Sequence, residues 1–301
     1  MSLKNISFAI LVALLAAAIS NPYLSLWHRL IELGLATFSP PIFATFIADS
    51  IEEGHRHHHL PPEKVAIPTY KQNITFQGQG YTSTAIVWND TATSSRGRIY
   101  SGSVQVFSKN FVAKNISFMN AAPIPSPGDV GAQAVAIRII GDQAVFLGCG
   151  FFGAQDTLHD DRGRHYFKDC YIQVDPGAKR INGAVTAHGR ASKDENTGFA
   201  FVNCTLGGTG RIWLGRAWRP YSRVIFSCTT MTDIIAPDQG WNDFYDPARD
   251  QTVFFGEYNC SGAGANMSMR APYVQKLSAT QASPFLSVAF IDGDQWLQDY
   301  I

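Results

Sequence analysis

Three short segments set polar or charged side chains inside otherwise apolar surroundings. They are Gly131-Ala-Gln133-Ala-Val-Ala-Ile-Arg138, Gly153-Ala-Gln155-Asp156-Thr157-Leu158 and Trp213-Leu-Gly215-Arg216-Ala-Trp218. The amides of Gln133 and Gln155 can donate to an oxyanion. Asp156 can serve as an acid or a base, and Arg216 can grip a carboxylate through two parallel N–H bonds. Trp218, and Trp241 in Gly240-Trp-Asn-Asp243, offer flat faces on which a sugar ring can stack. Each residue also has an ordinary structural use: amides stack into ladders, Asp156 can cap a turn, and Arg216 can pair with a structural acid. Metal chemistry has little support. No two of the five cysteines, Cys149, Cys170, Cys204, Cys228 and Cys260, stand in a Cys-x-x-Cys arrangement. The run His55-Arg56-His57-His58-His59 has a metal-binding composition, but no second ligand cluster accompanies it, and it reads as a solvated linker.

The elements that must hold these residues are short strands. From Glu63 onward, runs rich in Val, Ile, Phe and Thr alternate with Gly, Asn and Asp turns, as in Ser103-Val-Gln-Val-Phe107 and Gln143-Ala-Val-Phe146. No long amphipathic helix lies between them, which argues against a βαβ sheet. Phe146-Leu-Gly-Cys149, Phe167-Lys-Asp-Cys170 and Phe201-Val-Asn-Cys204 share Phe-x-x-Cys, and Ile225-Phe-Ser-Cys228 is a looser fourth copy. Cys149 and Cys170 are 21 residues apart, Cys204 and Cys228 are 24 apart, and Asn73-Ile-Thr-Phe76 and Asn115-Ile-Ser-Phe118 are 42 apart, twice 21. Strand-only repeats of this period predict a parallel β-helix with inward Phe and Cys filling its core. An odd number of cysteines leaves one thiol over, or none bridged, and packing is the expected role for several of them.

The bulk properties agree. Apolar content is 46%, charged content 16% and formal net charge zero, which fits a folded domain and gives no reason to expect nucleic-acid binding. Residues 1–20 read as a secretory signal, with Lys4, the apolar run from Phe8 to Ile19, and small residues at Ala18-Ile19-Ser20. That run is shorter than the ~20 residues of a membrane span, so membrane contact is expected only through this leader. Sequons at Asn73, Asn89, Asn115, Asn203, Asn259 and Asn266 fit an exported glycoprotein. Residues 21–62 form a poorly defined N-terminal segment and linker, and 63–301 the solenoid domain.

Together the ordered motifs resemble the plant pectin methylesterase family. They run from Asn73-Ile-Thr-Phe-Gln-Gly-Gln-Gly80 and Asn115-Ile-Ser-Phe-Met-Asn120 through Gln133-Ala-Val-Ala-Ile-Arg138 and Gln155-Asp-Thr-Leu158. They continue with Gly208-Thr-Gly-Arg-Ile-Trp-Leu-Gly-Arg-Ala-Trp218, Gly240-Trp-Asn-Asp243, Val253-Phe-Phe-Gly-Glu-Tyr258 and Phe290-Ile-Asp-Gly293. The resemblance implies an all-β, right-handed, single-stranded parallel β-helix, secreted to the cell wall and monomeric. It also implies hydrolysis of galacturonate C6 methyl esters in homogalacturonan (pectin) without metal or cofactor. One aspartate attacks the ester, and a second protonates the departing methanol and then activates water. By motif, Asp156 is the acid/base, Gln133 and Gln155 the oxyanion donors, Arg216 the residue that orients the nucleophile, and Trp218 a sugar-stacking residue.

One element of the family pattern is missing. The nucleophile belongs to Gly-Ser-Ile/Val-Asp-Phe-Ile-Phe-Gly, expected directly after Cys170-Tyr-Ile-Gln173. Here the chain reads Val174-Asp175-Pro176-Gly177 and soon reaches Gly183-Ala-Val-Thr-Ala-His-Gly-Arg190. The interval is short by roughly 20 residues, about one coil of such a solenoid. Asp175 is the stand-in on offer. It keeps strand parity but falls about 6.6 Å early along the strand, and Pro176 beside it points to a turn. Without the nucleophile, Arg216 is expected to lack its partner carboxylate. The competing reading is a non-catalytic pectin-binding solenoid. A pectate lyase or a polygalacturonase would need a calcium-binding acidic cluster or a pair of acids straddling the glycosidic bond, and neither motif is present.

Overall fold

The computed structural model describes residues 64–95, 97–124, 129–153, 157–174, 183–237 and 239–297, with the backbone of Ile42–Thr45. The chain divides into two units, Met1–Ile42 and Phe43–Ile301. The signal, the histidine run and the 21–62 segment lie outside the described residues, the Ile42–Thr45 backbone aside.

Strands of the second unit wind repeatedly through three parallel sheets. The longest sheet takes, in order, Ile74–Gln77, Phe111–Lys114, Ala144–Leu147, Arg164–Lys168, Gly198–Val202, Arg223–Ser227, Phe254–Tyr258 and Gln275–Lys276. A second sheet stacks Ala85–Trp88, Ser117–Asn120, Gly150–Phe152, Tyr171–Val174, Thr205–Gly208 and Thr230–Met231. The third takes Val65–Ile67, Val104–Val106, Ile137–Ile139 and Leu158–Asp160 and there stops. Ala184–Thr186 and Trp213–Gly215 pair with each other as a separate two-stranded piece. Across the interval where the third sheet breaks, the other two continue. Arg164–Lys168 pairs with Gly198–Val202 from Arg164↔Gly198 to Lys168↔Val202, and Tyr171–Val174 pairs with Thr205–Gly208 along its whole length.

Inward ladders hold the coils. Phe146, Phe167, Phe201 and Phe226 are in register and wholly buried. Their rings stack at 4.8, 4.4 and 4.5 Å between centroids, within 13° of parallel. Burying each such ring stabilises the fold by about 1.5–3 kcal/mol. Cys149, Cys170 and Cys204 form the neighbouring ladder, buried and unbridged. Their thiols lie under the preceding coil, with Cys170 Sγ 3.5 Å from the Phe146 carbonyl and Cys204 Sγ 3.6 Å from that of Phe167. Burial pushes the Cys170 and Cys204 thiols well above the ordinary range, as packing residues rather than nucleophiles.

Two parts of the repeat reading need correction. Cys228 is not the fourth rung. It sits at φ 51°, in the left-handed turn position that Asn115, Gly148, Asp169, Asn203 and Asn259 occupy on other coils. Backbone bonds tie these turns together, as in Asn203 N to Ser227 O and Cys228 N to Tyr258 O. Short polar side chains are favoured there because they tolerate positive φ. Likewise Asn73 and Asn115 are not equivalent. Asn73 precedes a strand of the longest sheet and its Oδ1 accepts from Asn110 Nδ2 at 2.9 Å, whereas Asn115 turns the chain from the longest sheet into the second. Their 42-residue spacing is not a repeat of one position.

The C-terminal segment covers the outer face of the longest sheet. Leu277, Ala282, Phe285, Ile291 and Leu297 pack on Val112, Val145, Tyr166, Ala200 and Ile225. Tyr166 Oη donates to the Leu286 carbonyl at 2.8 Å. Open clefts are therefore left to the other two faces.

Candidate functional site

Of the polar residues singled out by sequence, Gln133 lies in the turn that leads into the third sheet and Arg216 ends a strand of the two-stranded piece. Gln133 lies half-buried just before Ile137–Ile139. Its carbonyl accepts from Ala92 N at 2.8 Å, and Gly131 O accepts from Thr93 N at 2.9 Å, so this loop is fixed to a loop of an earlier coil. Ala134, Val135 and Ala136 behind it are wholly buried. The next coil repeats the arrangement. Thr157 O accepts from Ala136 N at 2.9 Å, and Thr157 Oγ1 closes the turn on Gly153 O at 2.9 Å. A Cβ at Gly153 would stand 2.8 Å from Ala134 O, so only glycine lets the two coils approach here. Gln155 and Asp156, between Gly153 and Thr157, and Asp175, after Val174, lie outside the described residues.

Beside these turns, on the second sheet, is a cavity of about 490 Å³ whose lining includes Tyr81, Ser117, Asn120, Phe152, Gly153 and Gln173. Tyr81 stacks on Tyr171 at 6.2 Å and 12°, and Phe152 tilts against Tyr171 at 5.7 Å. Glycines make room for these rings: a Cβ at Gly150 would meet Tyr81 at 3.0 Å, and one at Gly207 would meet the Tyr171 hydroxyl at 2.8 Å. Sequence reading missed all three aromatics. Strand alternation pointed to their outward side, since Phe151 and Ile172 next to them are core residues, but nothing local told a cleft from ordinary surface.

Arg216 ends the strand Trp213–Gly215. Its backbone N donates to Thr186 O at 2.9 Å, and it bridges Asn242 of the following coil. The guanidinium lies over the Trp213 ring at 5.2 Å, a cation–π contact that holds it in place. Its Nε is buried with no hydrogen-bond partner, and none of the ion pairs among the described residues includes Arg216. Trp218 is 41% exposed and meets Phe244 edge-on at 5.4 Å. Tyr245, 79% exposed, meets Trp213 edge-on at 6.3 Å. Phe244 and Tyr245 both hold positive φ, 67° and 58°, which bulky side chains adopt only at a cost of about 1–3 kcal/mol each. Asn242 Oδ1 and Asp243 Oδ1 fix them by accepting from Phe244 N and Tyr245 N. These two aromatics, absent from the sequence reading, extend the patch around Arg216.

Trp241 is a correction. It is wholly buried, stacks on Phe255 at 4.4 Å, and donates from Nε1 to Glu257 Oε1 at 2.9 Å. Glu257 in turn holds Arg270 at 2.6 and 3.0 Å. No face of that indole is open to a sugar. Sequence could not separate it from Trp218, because both follow glycine-bearing turns.

The arrangement is compatible with ester chemistry on a polysaccharide. It has the Gln133 turn packed on Gly153 and Thr157 of the next coil, a guanidinium that joins no ion pair among the described residues, and aromatics on both flanks. No group of three or more His, Cys, Asp or Glu among the described residues is placed to hold a metal ion.

Comparison with known proteins agrees with this reading. The family model Pectinesterase matches residues 57–176 and 172–294, two stretches that meet where the third sheet breaks. Probable pectinesterase 8 of Arabidopsis thaliana is 66% identical over 261 residues, covering 78% of this chain and 66% of that protein. Putative pectinesterase 14 of the same plant is 47% identical, covering 78% of this chain and 76% of that protein. Among solved structures, pectin methylesterase from carrot superposes with TM-score 0.65 at 28% identity, covering 79% of this chain and 83% of that one. The deglycosylated Aspergillus niger enzyme gives 0.63 at 26%, covering 92% of each chain. The fold is thus a right-handed parallel β-helix, and the chain belongs to the pectinesterase family.

Proposed function

We propose that this chain acts outside the cell on the methyl-esterified homogalacturonan of the cell wall, as a pectin methylesterase-type protein that hydrolyses galacturonate C6 methyl esters. The observation that carries this reading is the packing of Gly153 and Thr157 directly on Ala134 and Ala136. It sets the flanks of Gln155-Asp156 on the coil next to Gln133, beside an aromatic cavity large enough for sugar units.

In this reading a carboxylate attacks the ester carbonyl and the carbonyl electrons move onto oxygen, where the Gln133 and Gln155 amides donate to the oxyanion. Asp156 protonates the departing methoxide, giving methanol and an acyl-enzyme anhydride. Asp156 then takes a proton from water, which attacks the anhydride and releases the free galacturonate carboxylate. The attacking role falls to Asp175, the one acid beside the junction after Val174. Methanol release from methyl-esterified pectin by the purified chain tests the reading. Turnover that Asp156→Asn abolishes is expected; turnover indifferent to both Asp156→Asn and Asp175→Ala would overturn the site assignment.

A second reading is favoured by Arg216. A residue that orients a nucleophile should have that carboxylate beside it, and its Nε has no partner. On this reading the chain binds pectin through Trp218 and its neighbours and hydrolyses nothing. Retained pectin binding with no methanol release selects it.

A further inference from the structure

The buried Nε of Arg216, which has no partner among the described residues, suggests what the chain recognises. We propose that Arg216, held by Trp213 and flanked by Trp218, is a binding site for the free carboxylate of a de-esterified galacturonate unit. The chain would then prefer low-ester galacturonan, the product of ester hydrolysis, over the methyl ester. The proposal rests on the pectin-directed reading above and adds the chemical form of the sugar.

Three observations carry it. First, Arg216 is preorganised. Its backbone is tied to Thr186 and Asn242, and its guanidinium plane sits over Trp213 at 5.2 Å, so little side-chain freedom is lost on binding. Second, it is unsatisfied. Nε is buried without a partner, and a buried donor left in that state favours any acceptor that reaches it. The nearby acids that have partners are turned elsewhere: Asp246 pairs with Arg249 at 3.0 Å, and Asp243 Oδ1 takes the Tyr245 N–H at 2.8 Å. Third, the flanks suit a sugar. Trp218, Phe244 and Tyr245 are the exposed aromatics of this patch, and an indole face can carry the apolar side of a pyranose ring while Arg216 reaches its C6 group.

A carboxylate presents two coplanar, negatively charged oxygens that match the guanidinium fork, whereas a methyl ester presents no charge and a blocked oxygen. The discrimination therefore needs no moving part.

The test is calorimetric titration of the full chain with two oligogalacturonates of equal length, one unesterified and one fully methyl-esterified. The unesterified oligomer is expected to bind at least about tenfold more tightly, with an advantage that shrinks as salt rises. Arg216→Gln is expected to bring the two affinities together by weakening only the unesterified oligomer. Arg216→Lys, which keeps the charge but lacks Nε and the planar fork, should restore part of the difference. Thermal unfolding of each variant checks that the fold is kept, and the wild-type comparison stands without any variant. Equal affinities in the wild type, or a preference that survives Arg216→Gln in folded protein, would overturn the proposal while leaving the pectin reading intact. Failure of both oligomers to bind would overturn both.

Discussion

At the level of Tyr171–Val174 the longest sheet and the third sheet behave differently. The longest sheet passes from Arg164–Lys168 to Gly198–Val202 with full parallel pairing. The third stops at Leu158–Asp160 and resumes as a separate pair. The reason lies in the side chains. Across this interval the longest sheet presents matching inward residues, with Phe146, Phe167, Phe201 and Phe226 stacked in register. These coils can therefore rest on one another. The third sheet presents Leu158-His159-Asp160 on one side of the break and Ala184-Val185-Thr186 on the other; Leu158 and Val185 share one buried core, but no strand pairing joins the two among the described residues. A solenoid keeps its fold wherever neighbouring coils still stack, as the longest sheet does across this interval, while the strand pairing of the third sheet is interrupted there. That face carries the candidate chemistry.

The strongest way to break this contrast is to repair it. Inserting between Gln173 and Val174 the roughly 20-residue coil that the family carries should rejoin the third sheet and give Arg216 a carboxylate. Methanol release from methylated pectin is then expected to rise by on the order of 10³-fold or more. No gain in a folded insertion variant would mean that the break is not what limits catalysis.

Next in size is the ladder itself. Phe167 is wholly buried and stacks on rings both above and below. Phe167→Ala should cost about 3–5 kcal/mol in denaturant unfolding. Val185, equally buried but in the two-stranded piece, should cost roughly 1–2 kcal/mol on change to Ala. Equal costs would show that the split face supports the fold as strongly as the ladder does.

A smaller effect separates the two tryptophans. Trp241→Phe removes the donor to Glu257 and should cost about 1–3 kcal/mol of stability with pectin binding unchanged. Trp218→Ala should leave stability within about 0.5 kcal/mol and weaken pectin binding. The opposite pattern would return Trp241 to the surface and Trp218 to the core.

These pairs also show what could be read from the chain alone. The parallel stack was legible because Phe-x-x-Cys recurs three times among short strands, at Cys149, Cys170 and Cys204. The turn offset of Cys228 was not, because one residue of slippage between strand and turn leaves the spacing almost unchanged. Arg216 was legible as a polar residue at the end of an apolar strand, whereas its seat over Trp213 and its buried Nε needed the coordinates. Trp241 was misread because burial depends on Phe255 and Glu257, residues 14 and 16 positions later, which only the next coil brings beneath the ring. Tyr81, Phe152 and Tyr171 were missed for the same reason: their cleft exists only once three coils are stacked.

The smallest expected effect lies at the corner where the broken sheet meets the continuous one. His188 is buried, its Nδ1 accepts from Arg223 N at 2.9 Å, and its Nε2 has no partner. Burial first, then the charges of His165, Arg223 and Arg190, hold its pKa well below the usual histidine range. A folded-state pKa below the unfolded value of about 6.5 means the unfolded chain takes up the proton first. Stability supplied by neutral His188 is therefore present above that pH and lost as pH falls below it. Asp160, raised by burial to about 6 despite its bond to His165, acts in the opposite direction between about 3.8 and 6. Its folded form binds the proton first, so acidification through that window stabilises. The clean measurement is therefore a difference. His188→Asn keeps an acceptor for Arg223 N without a titrating ring. From pH 6.5 downward the wild type should lose stability relative to this variant at up to ~1.4 kcal/mol per pH unit. Parallel stability curves for the two proteins would mean that His188 can charge inside the folded coil, and that the corner beside the break is open to water.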